Sequence, residues 1–286
     1  PDSPPMTTSH RRRVLRGLTW AALLLMLLVT SVSAFLRLTQ PRPDCGVWPH
    51  CRASVAAEVI VASDRLAVDK TTIDGARKLH RMTASLALLT ALALALLALA
   101  RRPRNWLVGR PALTLVALAL GLSALGIITP GSTAAPVLIG NLLGGFLMVA
   151  VAWRLTSRIG HTVATVTAKG LDRWVLAGIA LWMTQAALGA LSGTGRVASA
   201  SIVHALMALA VVLVVLQIGS YADRAGLRRE GMALIGLAFG QFLLGASAAV
   251  FGAPLLAILL HNFFGALGLA LLMTLFGRVP LEAPKS

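Results

Sequence analysis

Residues 254–276 read PLLAILLHNFFGALGLALLMTLF, and this run decides the fold class. It contains no Asp, Glu, Lys or Arg. A helix needs about 20 apolar residues to cross the hydrocarbon core of a bilayer, so the run is long enough to span as one helix. Its one ionisable residue is His261.

The same test applied outward along the chain gives seven further runs. Spans are expected near 15–37, 78–100, 111–129, 135–155, 173–192, 198–219, 231–251 and 254–276. Composition agrees. The chain is 57% hydrophobic and only 13% charged, against about 45–50% apolar and roughly 25% charged in soluble proteins. A mean hydropathy of +0.81 is more apolar surface than a water-soluble domain of 286 residues can hide. The expected fold is therefore an all-α integral membrane protein, an eight-transmembrane-helix bundle. The N-terminal basic cluster His10-Arg11-Arg12-Arg13 precedes an apolar run that continues to about Leu36. That is longer than the core of a secretory signal, so it reads as the first spanning helix.

The loops carry the charge. A formal net charge of +16 on a soluble protein would point to nucleic acid. Here the basic residues sit in short connections, as the positive-inside rule describes, and nucleic acid is set aside. Connections 101–104, 156–172 and 220–230 are basic, whereas 130–134 and 252–253 are uncharged and 193–197 holds only Arg196. Basic and non-basic loops alternate. This places both termini in the cytoplasm, in a multi-pass arrangement in a cell inner membrane with lipid around it.

An internal repeat divides the chain. Span five contains Gln185-Ala-Ala-Leu-Gly189-Ala190, and span seven contains Gln241-Phe-Leu-Leu-Gly245-Ala246. The even spans share a second pattern, His or Asn with a small residue four positions later: His80/Ala84, Asn141/Gly145, His204/Ala208 and His261/Gly265. Two pseudo-symmetric four-helix halves are expected, 1–155 and 156–286, the first with a long external loop over 38–77.

Ionisable groups inside a bilayer are costly and are functional suspects by default. His80, Asn141, His204 and His261 each fall about one to two turns inside the outer boundary of a span running outside to inside. Imidazoles at one depth on neighbouring helices are what bis-axial haem ligation requires. A small residue at i+4 shares the helix face and would leave room for a flat macrocycle. A lone helical histidine is ordinarily a hydrogen-bonding group; the matched pair His204 and His261 reads as a pair of ligands. Zinc fits less well, because no Cys or carboxylate accompanies them in the spans. Arg37, Arg77, Arg81 and Arg196 end spans on the same face. Arg37 and Arg81 are candidates for anionic haem propionates, the alternative being snorkelling to headgroups.

The two cysteines, Cys45 and Cys51, stand in Cys45-Gly46-Val47-Trp48-Pro49-His50-Cys51 of the external loop. A disulfide is expected in an oxidising compartment. A redox-active pair is the other reading, since His50 beside Cys51 would lower a thiol pKa.

These residues resemble a known family. Phe35-Leu36-Arg37-Leu38-Thr39, followed by Cys45-x-x-Trp48-Pro49-x-Cys51, is similar to the external-loop signature of haem A synthases. His80-Arg81 resembles that family's His-Arg pair, and His204 and His261 fall where it carries its C-terminal ligands. The likeness covers essentially the whole chain. It implies haem b in the C-terminal half, as cofactor on the metal ligands His204 and His261. It implies a site in the N-terminal half, at His80, where the C8 methyl of haem O is oxidised to the formyl of haem A. Exchange through the cysteine pair, and haem O synthase or oxidase assembly factors as partners, are further implications. The sequence departs from the family at two places: Arg77 stands where a Glu is usual, and Asn141 where a second His is usual. A non-catalytic b-type haem protein, serving electron transfer or oxidase assembly, is the competing expectation.

Overall fold

The computed structural model describes residues 8–39, 68–100, 103–132, 134–160, 170–193, 198–251 and 254–278. Among them are eight helices and no strand: α1 (Thr8–Thr39), α2 (Lys70–Leu99), α3 (Trp106–Ile128), α4 (Ala135–Gly160), α5 (Leu171–Ser192), α6 (Ala198–Arg224), α7 (Arg228–Val250) and α8 (Leu255–Arg278). All eight are long and apolar enough to cross a membrane. In lipid only a helix or a closed barrel satisfies its own backbone polar groups, so the protein is a multi-pass membrane protein whose outer surface contacts lipid. Side chains agree: Leu24, Leu89, Leu96, Leu213 and Phe239 point outward and are more than half exposed.

The helices extend beyond the apolar runs where polar turns continue them. α1 begins at Thr8 instead of near 15, and α2 at Lys70 instead of near 78; part of the expected 38–77 loop is thus helix. Hydropathy measures apolar length and does not register a polar first turn standing clear of the hydrocarbon. Local chemistry does: Asp69 is the N-cap of α2, accepting from the backbone N–H of Thr72 at 3.2 Å and from the hydroxyls of Thr71 and Thr72. Those hydrogen bonds, the Thr71 hydroxyl first, hold the Asp69 carboxyl down at about 2. The opposite end of α2 is closed by Arg11, whose guanidinium donates to the carbonyls of Leu97 at 2.8 Å and Ala98 at 3.1 Å. A cation on the last carbonyls of a helix satisfies orphan acceptors and favours the dipole.

The connection from α6 to α7 is three residues long, shorter than the expected 220–230 loop. Gly226 takes φ +76°, the left-handed conformation that favours glycine. The N–H of Leu227 then reaches back to Ala222 O at 2.7 Å, and that of Gly226 to Asp223 O at 3.0 Å, a left-handed helix C-cap. The chain reverses at once and α6 and α7 become antiparallel neighbours. A Cβ at Gly231 would lie 3.1 Å from Gly219 O, so the two backbones touch through glycines. In lipid, where apolar burial does not drive helices together, such close approach supplies the attraction. The far ends of α7 and α8 are clasped by Glu230 and Arg278, 2.9 Å apart.

Contacts between elements repeat. α1–α2, α2–α3, α3–α4 and α4–α1 close one ring; α5–α6, α6–α7, α7–α8 and α8–α5 close a second. The rings join through α4–α8, α4–α5 and α1–α8. Exchanging the halves maps α4–α5 onto α8–α1 and α4–α8 onto itself. The bundle is therefore two pseudo-symmetric four-helix halves.

Candidate functional site

Asn141, His204 and His261 are each the seventh residue of their helices, α4, α6 and α8. His80 is the eleventh of α2, whose polar start lengthens it. The fold brings together one pair from this set. The rings of His204 and His261 face each other edge to face, with centroids 6.3 Å apart and planes at 75°.

Both line a cavity of about 1300 Å³. That exceeds the roughly 300–1,000 Å³ of ordinary small-molecule pockets and suits a large macrocycle. The walls come mainly from α5 to α8, and one side is closed by Leu138, Leu142 and Phe146 of α4. Arg37, in the last turn of α1, stands on the lining. The C-terminal cavity thus abuts the helix that carries Asn141.

Small residues make the imidazoles fit. A Cβ at Gly189 of α5 would lie 3.0 Å from Cε1 of His204, and one at Gly245 of α7 would lie 3.3 Å from Cε1 of His261. Any larger residue would press on the rings. The i+4 positions act differently from the expectation. Ala208 and Gly265 do line the cavity, yet the space over Gly265 is taken by Phe146 at 3.0 Å and by the Gln241 amide nitrogen at 3.2 Å. The repeat Gln-x-x-x-Gly on α5 and α7 was visible in sequence, but its role was not: Gly189 and Gly245 seat the histidines. Trp182 braces the wall. Its indole donates to Gly265 O at 2.8 Å, and its ring fills the notch at Gly268, where no Cβ has room.

Four buried polar atoms in this wall have no hydrogen-bond partner: Nδ1 of His204, Nδ1 of His261, Oε1 of Gln185 and Oε1 of Gln241. Unpaired buried polar groups are rare and call for an explanation. Among the described residues no group of three or more His, Cys, Asp or Glu converges, so the donor set is two imidazoles. The spacing suits them. A metal–imidazole bond is about 2.0–2.1 Å, so two imidazoles sharing one metal would have ring centres roughly 5–6.5 Å apart. At the observed 6.3 Å, His204 and His261 are the residues that would hold a metal or metal-bearing cofactor here.

The N-terminal half places its candidates otherwise. His80 is partly buried on α2, and its carbonyl accepts from the Thr83 hydroxyl at 3.1 Å. Arg81 is exposed and absent from the cavity lining. Arg77 pairs with Asp74 at 2.9 Å on the α2 surface. Around Asn141, α4 is packed shut: Leu125 lies against Gly140, Leu122 against Gly144, and Thr30 of α1 against Gly145. Cys45, Cys51, His50 and Arg196 lie outside the described residues.

No family model and no curated protein sequence matches the chain.

Proposed function

We propose that this protein is a membrane haemoprotein of the haem A synthase type, with haem b held between His204 and His261. The observation that carries this is the pair of imidazoles, His204 and His261, with ring centres 6.3 Å apart on the lining of a cavity of about 1300 Å³. When bound, haem b supplies one-electron transfer. The chain's own residues do the rest. His204 and His261 offer two nitrogens from facing helices. Gly189 and Gly245 let the rings stand at that depth. Phe146, Leu138 and Leu142 keep water from the α4 side. Arg37 at the cavity wall suits an anionic propionate, since guanidinium and carboxylate pair bidentately. The basic connections are assigned to the cytoplasm by the positive-inside rule, in a cell inner membrane.

In this reading haem O would be held at His80 in the N-terminal half, and dioxygen, as the oxidant, would take the four electrons lost as the C8 methyl becomes the formyl of haem A, one oxygen atom entering the formyl and the other leaving as water. The cavity's position against α4 supports exchange of electrons between the halves. Haem O synthase and oxidase assembly factors are the corresponding partners. The test is expression in a strain lacking its own haem A synthase, scored by haem A in extracted membranes. Haem A that depends on His80 supports the enzyme.

A specific observation favours a second reading. Leu122, Leu125 and Thr30 fill the face of α4 beside Asn141, and neither Asn141 nor Arg77 is a substitute for the family's His and Glu. On this reading the chain is a b-type electron carrier or assembly protein. Membranes that contain the protein with haem b, and no haem A, decide for it.

A further inference from the structure

The cavity beside His204 and His261 is ringed by α5 to α8, and three of the four seams in that ring are fastened at its level. Ser192 of α5 and Ser201 of α6 are hydrogen-bonded at 2.8 Å. Trp182 of α5 donates to Gly265 O of α8. Gly245 of α7 lies against the His261 ring of α8. Among the described residues, α6 and α7 are fastened at the other end of the bundle, where Gly231 meets Gly219 and the Ile235 side chain fills the notch over Gly219. Nor does a third helix back this seam: α6 touches only α5 and α7, and α7 only α6 and α8.

Equal rise along two antiparallel helices, counted from the Gly219–Gly231 crossing, brings Leu209 level with Gln241 and Phe242, and Ala205 level with Gly245 and Ala246. Leu209, Ala205, Phe242 and Ala246 all line the cavity, so the cavity occupies the seam at this level. The outer surface shows the same opening. Ile202, Leu206, Leu209, Leu213 and Leu216 of α6 are exposed and recur at the spacing of one helix face, the face turned to lipid. Leu206 and Leu209 belong to that stripe, 63% and 52% exposed, and also to the cavity lining. Residues of a lipid-facing stripe reach the lining only where the cavity reaches the surface.

We propose that the seam between α6 and α7 is a lateral portal through which the cavity exchanges its ligand with the bilayer, with Leu209 and Phe242 as the bulky side chains at its mouth. This rests on the haem reading above and adds the source: haem dissolved in the membrane. The macrocycle is largely apolar and is driven out of water into the bilayer. It is also flat, and a helix pair joined at one end and parted at the other offers a slot that a flat molecule passes edge-on.

The test is haem exchange by the purified protein in lipid nanodiscs, followed by the low-spin absorbance. Release is measured into excess empty vesicles, and uptake by the depleted protein from haem-loaded vesicles. Leu209→Trp should slow both rates by about tenfold, since an oversized ring in the mouth must be displaced at each passage. Phe242→Ala should speed both. A portal changes the barrier and not its two ends, so uptake and release move in the same direction. Leu213→Trp, on the same stripe but off the lining, should keep the wild-type rates. Wild-type rates in Leu209→Trp and Phe242→Ala would overturn the proposal. So would uptake and release that move in opposite directions, which would make these side chains part of a wall that sets affinity. Phe242→Ala decides the matter alone if Leu209→Trp fails to accumulate. Unaltered rates with a wild-type spectrum would remove the portal and leave the histidine reading standing; a wild-type protein that takes up no haem would remove both.

Discussion

The two halves share one helix topology and differ in what fills the middle. α4 and α8 are counterparts, and each touches four neighbours. Yet 56% of the apolar window of α4 is buried, against 33% for α8. Leucines from α3 and Thr30 from α1 press onto the glycines of α4, whereas the face of α8 looks onto the cavity, with His261 opposite His204. The glycines of α8 are filled as well, Gly265 by Phe146 and Gln241 and Gly268 by Trp182, and the room in this half lies beside His204 and His261, where Gly189 of α5 and Gly245 of α7 carry no side chain. A repeated fold therefore fixes where a site would be, and the residues on adjacent helices decide whether it is open.

Filling the cavity is the severest test of that contrast. Ala208→Trp puts an indole one turn from His204 on the cavity lining and should abolish haem retention, read as absorbance at matched protein. Ala84→Trp, the counterpart beside His80, should leave that absorbance unchanged. Equal loss from both would mean that the open half has been misassigned.

Bracing comes next. Gly268→Ala drives a methyl into the Trp182 ring, and overpacking of this kind costs about 1–3 kcal/mol. A lower midpoint in thermal unfolding in detergent is expected. Retention of the wild-type midpoint would argue that Trp182 swings aside freely.

Finer still is the pair Gly189→Ala and Gly245→Ala. The added methyl meets His204 at 3.0 Å but His261 at 3.3 Å. Both should perturb the low-spin spectrum, Gly189→Ala the more strongly. The reverse order would put the tighter seat at His261.

The smallest effect lies at the edge of the packed half. Asp69→Ala removes the N-cap of α2, and amide exchange in the first turn should speed up while the haem spectrum stays as it was. Because the Asp69 carboxyl is held down at about 2, its cap is fully present above the ordinary carboxylate range near 4. It is lost as pH falls through about 2, so the wild-type first turn should loosen only in strong acid. Fraying at pH 5 would show that the carboxylate is not the cap.

Much of this was legible in the sequence. Apolar runs fixed the eight spans, because a bilayer imposes length on each crossing. The matched His204 and His261 followed from helical register, and their seventh-residue positions agree. What the runs do not encode is contact across helices. Arg11 reads as one more cationic residue of the basic terminus, although it closes α2. Gly189 and Gly245 were visible as a repeat, but a repeat does not say which ring each one seats. The closure of α4 depends on Leu122 and Leu125 reaching glycines on the next helix, and no periodicity within one helix records that.

The central claim is that His204 and His261 bind one haem between them. Its most direct test is the reduced-minus-oxidised spectrum of the purified protein, with extracted haem identified by chromatography, for wild type, His204→Ala, His261→Ala and His80→Ala. The account predicts low-spin haem b in wild type, loss of the low-spin signature in His204→Ala and His261→Ala, and its retention in His80→Ala. An unchanged spectrum in both His204→Ala and His261→Ala would contradict it.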